Sequence, residues 1–86
     1  MPVPTGSQPE PGPFARALSA EVRSAMARKQ VSGAQLATRV GRSNSYISKR
    51  LRADAQFTAN DIEDICRALG EDLLAVLHAA VRASRS

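Results

Sequence analysis

The chain has 86 residues, room for one small domain and not two. Hydrophobic residues make up 43% of it but aromatic ones only 3%, so alanine, leucine and valine must carry a core that covers about 60% of the unfolded surface and gains from a partner. One cysteine, Cys66, excludes an internal disulfide and a cysteine-rich metal site, and a net charge of +4 favours polyanions over cations as partners.

Residues 1–13, MPVPTGSQPEPGP, hold all five prolines and no lysine or arginine. That plan is neither a signal peptide nor a basic arm for a DNA minor groove, since the first base is Arg16. The composition predicts a disordered leader. A folded domain is expected over 14–83, with 84–86 as a frayed end.

Five helices and no strand follow. The first runs from about Phe14 to Lys29, with Phe14, Leu18, Val22, Ala25 and Met26 at helical spacing. Ser32 is an N-cap for the second, whose inner face is Leu36, Ala37 and Val40, and Gly41 ends it where a positive φ is needed. Ser43 or Asn44 caps the third, which reaches about Arg52 with Ile47 and Leu51 inward. In the fourth, Thr58 caps and Asp61 completes a variant capping box, before the stripe Ile62, Ile65, Cys66 and Leu69 and the closing Gly70. Asp72 opens the fifth, whose stripe is read as Leu73, Leu74, Leu77, Ala80 and Val81. The apolar run LLAVLHAAV is about half of a membrane span, so a soluble, cytoplasmic protein is expected.

Helices two and three are separated only by Gly41, Arg42 and Ser43, the spacing of a helix-turn-helix over about 32–52. The second helix of such a pair enters the major groove, so its outer face needs small residues and hydrogen-bonding groups. Asn44, Ser45, Ser48 and Lys49 fall on that face, with Arg52 near its far end. Asn bonds an adenine edge twice and Lys donates to guanine. Ser43 and Tyr46 are placed to donate to phosphates, together with backbone amides at the helix N-termini.

Charge is divided along the chain. Between Val22 and Ala53 stand eight bases and no acid, and between Asp54 and Asp72 six acids and one base, Arg67. One reading gives the protein a face for a polyanion and another turned away from it. The other has the two blocks neutralising each other inside the fold.

The stretch SGAQLATRVGRSNSYISKRL, residues 32–51, resembles the helix-turn-helix of the Cro/C1-type (XRE-like) repressor family. Leu36-Ala37, Val40-Gly41, Ser43, Ser45 and Ile47-Ser48 carry the likeness, and ANDIEDICRALG resembles the family's fourth helix. The resemblance spans about residues 14–81. It implies an all-α, lambda repressor-like bundle of about five helices that binds double-stranded operators as a dimer. It also implies base reading by Ser43, Asn44, Ser45 and Lys49, and backbone contacts from Gln35, Arg42 and Tyr46. Three positions depart from the family pattern. Gly33 stands where a phosphate-gripping glutamine is frequent, Arg42 where a small apolar residue is usual, and Arg50 where an apolar residue is preferred. Arg50 is expected to bind phosphate or, by preference, to fold back onto Asp54 or Asp61.

The remaining chemical-looking residues read as structural. His78 has no ligand pattern around it, Cys66 sits on an apolar stripe, and Asp61, Glu63 and Asp64 occupy the first turn of a helix, where acids meet the dipole. No nucleophile–base pair, cofactor or metal is expected, and no enzyme. Leu73, Leu74, Leu77 and Val81 are candidates for a homodimer seam. Ten arginines against two lysines suggest a GC-rich bacterial or phage genome. The expected function is sequence-specific repression. The rival is an adaptor or antitoxin that meets a protein partner through the fifth helix or the acidic 54–72 face.

Overall fold

Short-range hydrogen bonds set the helix boundaries. The computed structural model describes residues 10–85, and among them are five α-helices and no strand. They are α1 (Pro13–Lys29), α2 (Gly33–Val40), α3 (Asn44–Leu51), α4 (Ala59–Leu69) and α5 (Leu73–Ser84). Most of the expected leader, and Ser86 of the expected frayed end, lie outside the described residues. Proline is favourable at a first helical position, and α1 takes in Pro13 there.

Ser32 Oγ accepts the Gln35 N–H at 3.1 Å while Gln35 Oε1 accepts the Ser32 N–H at 2.9 Å, a full capping box. Thr58 and Asp61 form a second, with both bonds at 3.0 Å. Ser43 caps α3 through the Tyr46 N–H, and Asp72 caps α5 through the Ala75 N–H.

Left-handed residues close the helices. Gly41 (φ 71°) and Gly70 (φ 67°) end α2 and α4. After α3 the same conformation falls to an alanine, Ala53, at φ 61°. Its N–H donates to Arg50 O and the following Asp54 N–H to Lys49 O, closing the last turn.

The core joins all five helices through Leu18, Val22, Leu36, Ile47, Ile65 and Val76, among others. Cys66 belongs to it; burial, then Glu71 and Asp72 nearby, push its thiol up from the ordinary range. Two sequence expectations are corrected. Phe14 lies on the rim, 41% exposed, rather than inside. In α5 the inward residues are Val76 and Ala80, with Leu77 and Val81 half-buried and Leu73 and Leu74 exposed. α5 packs chiefly on α1, whose buried face includes Leu18, Val22 and Ala25. Small side chains one turn apart let the two backbones approach, and they displace the leucines outward.

No helix of the described residues is long and apolar enough to cross a membrane. At Gly41 an added Cβ would touch nothing within 4 Å, so the only obstacle to a side chain is the positive φ. Gly41→Ala is therefore expected to cost about 1 kcal/mol, left-handed strain partly offset by a less flexible unfolded chain. Urea denaturation measures it; an unchanged midpoint would mean that the turn between α2 and α3 relaxes freely.

Candidate nucleic-acid interface

α3 is gripped at both ends by other helices. At its C-terminus, buried Ser19 of α1 donates to Arg50 O at 2.7 Å, and Arg23 donates to Leu51 O. A guanidinium at a helix C-terminus also meets the negative end of its dipole. Within the helix, Ile47 is fully buried and Leu51 packs against the core. On its other flank the Tyr46 hydroxyl donates to Asp61 Oδ2 of α4 at 2.6 Å.

Asp61 is only 3% exposed, yet its carboxylate is saturated. Oδ2 also accepts the Thr58 N–H at 3.0 Å, and Arg42 Nη2 lies 3.3 Å from Oδ1. Burial alone would raise this carboxyl. The bonds from Tyr46 and Thr58 and the Arg42 charge outweigh it and hold the group below its ordinary value. Tyr46 responds in the opposite sense: burial first, then the bond to Asp61 and its charge, push the phenol up, against Arg50 and Arg42. Both guanidiniums stack on its ring, Arg50 at 3.5 Å and Arg42 at 4.6 Å from the centroid.

These contacts correct two expectations. The Tyr46 hydroxyl is held by Asp61 rather than presented to a phosphate. Arg50 does turn inward, but onto carbonyls rather than an acid: Nε donates to Gln56 O at 3.0 Å and Nη1 to Tyr46 O at 3.1 Å.

Much of the charge division is resolved inside the molecule. Arg28 and Lys29 pair with Glu71, Arg42 with Asp61 and Arg52 with Asp54, each joining the basic stretch to the acidic one. The hydrogen bond from Arg28 is the main cause holding Glu71 below the usual carboxylate range. The mutual neutralisation set out as the second reading of the charge blocks is thus realised for half of the eight bases. Of the eight bases, Arg39 and Lys49 have no partner among the described residues.

Against this background the outer face of α3 stands apart. The side chains of Asn44, Ser45, Ser48 and Lys49 make no hydrogen bond or ion pair with any described residue. They line one open concavity of about 750 Å³, with Ala34 of α2 at one edge and Arg52 at another. Ser43 lies outside it and serves as the N-cap, its hydroxyl proton left to donate. Arg52 and Arg42 remain 61% and 43% exposed despite their ion pairs, so each can reach an external anion as well. Gln35 is exposed, and its carbonyl oxygen is held in the Ser32 capping box. The structure therefore brings four of the five expected base readers together with Arg52 of the expected phosphate binders, while Gln35 and Arg42 lie outside that concavity and the Tyr46 hydroxyl is held by Asp61.

Sequence reasoning missed Ser19 and Arg23, and it offered Asp61 a tertiary partner in Arg50 rather than in Tyr46 and Arg42. Asp61 was placed by its capping-box spacing, but nothing local pointed to Tyr46 fifteen residues earlier. Among the described residues no group of three or more His, Cys, Asp or Glu is arranged to hold a metal.

Residues 17–83 match the family model described as a helix-turn-helix domain. No curated protein sequence gives a match. Two crystal structures of the clp gene regulator ClgR from Corynebacterium glutamicum are similar. One has a TM-score of 0.75 and 30% identity, covering 80% of this chain and 90% of that one. The other has a TM-score of 0.78 and 31% identity, covering 90% of this chain and 81% of that one.

The saturated Asp61 carboxylate sets an acid limit on stability. A carboxylate whose folded pKa is lowered stabilises the fold fully above its unfolded value of about 4 and loses that contribution as pH falls through the folded one. Asp61→Asn is expected to cost about 2 kcal/mol at neutral pH, mainly the charged hydrogen bonds. The melting-temperature gap between parent and variant should stay level down to about pH 4 and close below it. A gap that ignored pH would assign the loss to shape instead of charge.

Proposed function

The chain belongs to the helix-turn-helix domain family, and from that premise we propose that it is a sequence-specific regulator of transcription that reads double-stranded DNA with the outer face of α3. One observation carries the reading: Asn44, Ser45, Ser48 and Lys49 share a concavity and are engaged by nothing else among the described residues. Unpaired donors and acceptors on the outward face of a helix are what base edges in a major groove require. Ser43 contributes from the N-cap position. Arg42, Arg52 and Gln35 hold the phosphates beside them. The two ClgR structures are of a gene regulator, which supports transcription as the process controlled.

The mode of action is repression by a homodimer on a two-fold operator, in the bacterial cytoplasm. Two copies of α3 enter successive major grooves about 34 Å apart and exclude polymerase. The seam runs along α5, where Leu73 and Leu74 are exposed and Leu77 and Val81 half-buried.

A second reading, an adaptor or antitoxin bound to another protein, draws on the apolar hollow of about 410 Å³ between α1, α4 and α5, lined by Phe14, Phe57, Ile62, Leu73 and Leu77 among others. The acidic-face version of that reading has less support, because Asp54, Asp61, Asp64 and Glu71 are each held in ion pairs.

Fluorescence anisotropy with the duplex upstream of the protein's own gene, against a shuffled duplex, tests the proposal. Preference for the native duplex should persist as salt rises, with a log–log slope near −0.9 for each phosphate neutralised. Equal affinity for both duplexes, collapsing with salt, would reduce α3 to a basic patch. Lys49→Ala should relax base choice at one operator position and cost about 1–3 kcal/mol there. Leu74→Glu should shift sedimentation toward the monomer and weaken operator binding together; a parent that sediments as a monomer on its operator would remove the dimer from the scheme.

A further inference from the structure

Asp61 lies on α4, beyond the turn and both helices of the helix-turn-helix, and its carboxylate meets the reading helix twice. Oδ2 holds the Tyr46 hydroxyl at 2.6 Å, and Oδ1 attracts Arg42, which lies in the turn just before α3. Tyr46 is in the first turn of α3, beside Ser45 and within four residues of Asn44, Ser48 and Lys49. Its ring is fixed on both counts: the hydroxyl by Asp61, and its π system by the two guanidiniums. An α-helix held by one buried edge can still roll about its own axis, and a roll of a few degrees moves outward side-chain tips by a fraction of an ångström to more than one. Ile47 and Leu51 supply apolar contacts that tolerate such a roll, because apolar contact carries no direction. The bonds from Ser19 and Arg23 are directional but grip carbonyls at the C-terminal end of α3, and the Tyr46–Asp61 bond supplies the directional contact in the first turn, where Asn44 and Ser45 stand.

We infer that Asp61 is a positioning residue for specificity: by fixing Tyr46 and Arg42 it sets the roll of α3 and so decides which base edges its outward side chains meet. The inference rests on the DNA-reading proposal above. Asp61 itself touches no DNA in this scheme. Its removal disturbs base choice by freeing Tyr46, and it also releases Arg42 from its ion pair.

Tyr46 is the only tyrosine, and there is no tryptophan, so tyrosinate absorbance reports this one contact directly. In the parent the phenol should ionise above the ordinary tyrosine value of about 10, and Asp61→Asn should bring it down. An Asp61→Asn titration identical to the parent's would overturn the inference, because Asp61 would not be holding the ring.

The second arm uses the duplex that the parent selects from a random library, compared with a shuffled duplex, below the melting range of every variant. Tyr46→Phe keeps the ring and its stacked arginines and removes only the hydroxyl. Tyr46→Phe and Asp61→Asn should each lower the selected-to-shuffled affinity ratio about tenfold, with the double variant no worse than either single one. For Tyr46→Phe the salt slope on shuffled duplex should stay at the parent's value, since no phosphate contact is lost, whereas Asp61→Asn also releases Arg42 and is read by its affinity ratio alone. Equal weakening on both duplexes would mean that Tyr46 contacts the backbone itself, which overturns the positioning role. So would an unchanged ratio in both variants. If the parent selects no duplex, the DNA-reading proposal fails and takes the specificity claim with it, whereas a selective parent with equally selective variants defeats only the role of Asp61.

Discussion

The Asp61 carboxylate is nearly sealed from water, and a buried anion persists only where hydrogen bonds and opposite charge replace its lost hydration. Here those replacements come from two places. Thr58, at the start of α4, is local and fixes where that helix begins. Tyr46 and Arg42 come from α3 and the turn before it. The need to satisfy one carboxylate therefore ties the position of α4 to the orientation of α3. A chain this short has few large side chains with which to make the same connection by packing. Only Phe14, Tyr46 and Phe57 are aromatic, and Phe14 sits at the rim.

The local features of the fold were legible because they depend on residues three or four apart. Ser32 with Gln35, Thr58 with Asp61, and the glycines at 41 and 70 each act within a single turn, so spacing alone places them. The inward residues of α2, α3 and α4 were legible too, since polar neighbours mark where each buried stripe ends. α5 was not. Its sequence is apolar on nearly every side, so periodicity gives no direction, and size made Leu74 look like a better core residue than Val76. The deciding factor was the closeness of α1, a tertiary fact. Arg50 was misassigned for a related reason. Charge suggested an acid, but the guanidinium donates to the carbonyls of Tyr46 and Gln56 instead. At the candidate site, the outward residues of α3 could be named from the helical period, whereas the contact that holds Tyr46 spans two elements and leaves no local trace.

The internal pairing of charge bears on how the net charge is understood. A count of bases makes the 22–53 stretch look like a broad cationic surface. Most of those bases have partners within the fold, and the ones on and around α3 divide into three kinds. Arg50 and Arg23 hold carbonyls and are structural. Arg42 and Arg52 are paired yet exposed, so an incoming anion competes with a carboxylate for each. Lys49 alone on α3 has no partner among the described residues. The surface is graded, with its one unpaired lysine on this helix standing among small polar neighbours.

That arrangement also separates what must be kept from what can change. The anchors of α3 are Ile47, Leu51 and Tyr46, together with the backbone carbonyls gripped by Ser19 and Arg23, and none of them belongs to its outward face. Asn44, Ser45 and Lys49 are exposed and contribute no internal bond, so exchanging them leaves the core, the caps and the ion pairs intact. Substitutions at exposed positions of this kind usually shift stability by less than about 0.5 kcal/mol. The outward face can thus change without compensating changes in the fold, whereas Tyr46 and Asp61 are free to change only as a pair.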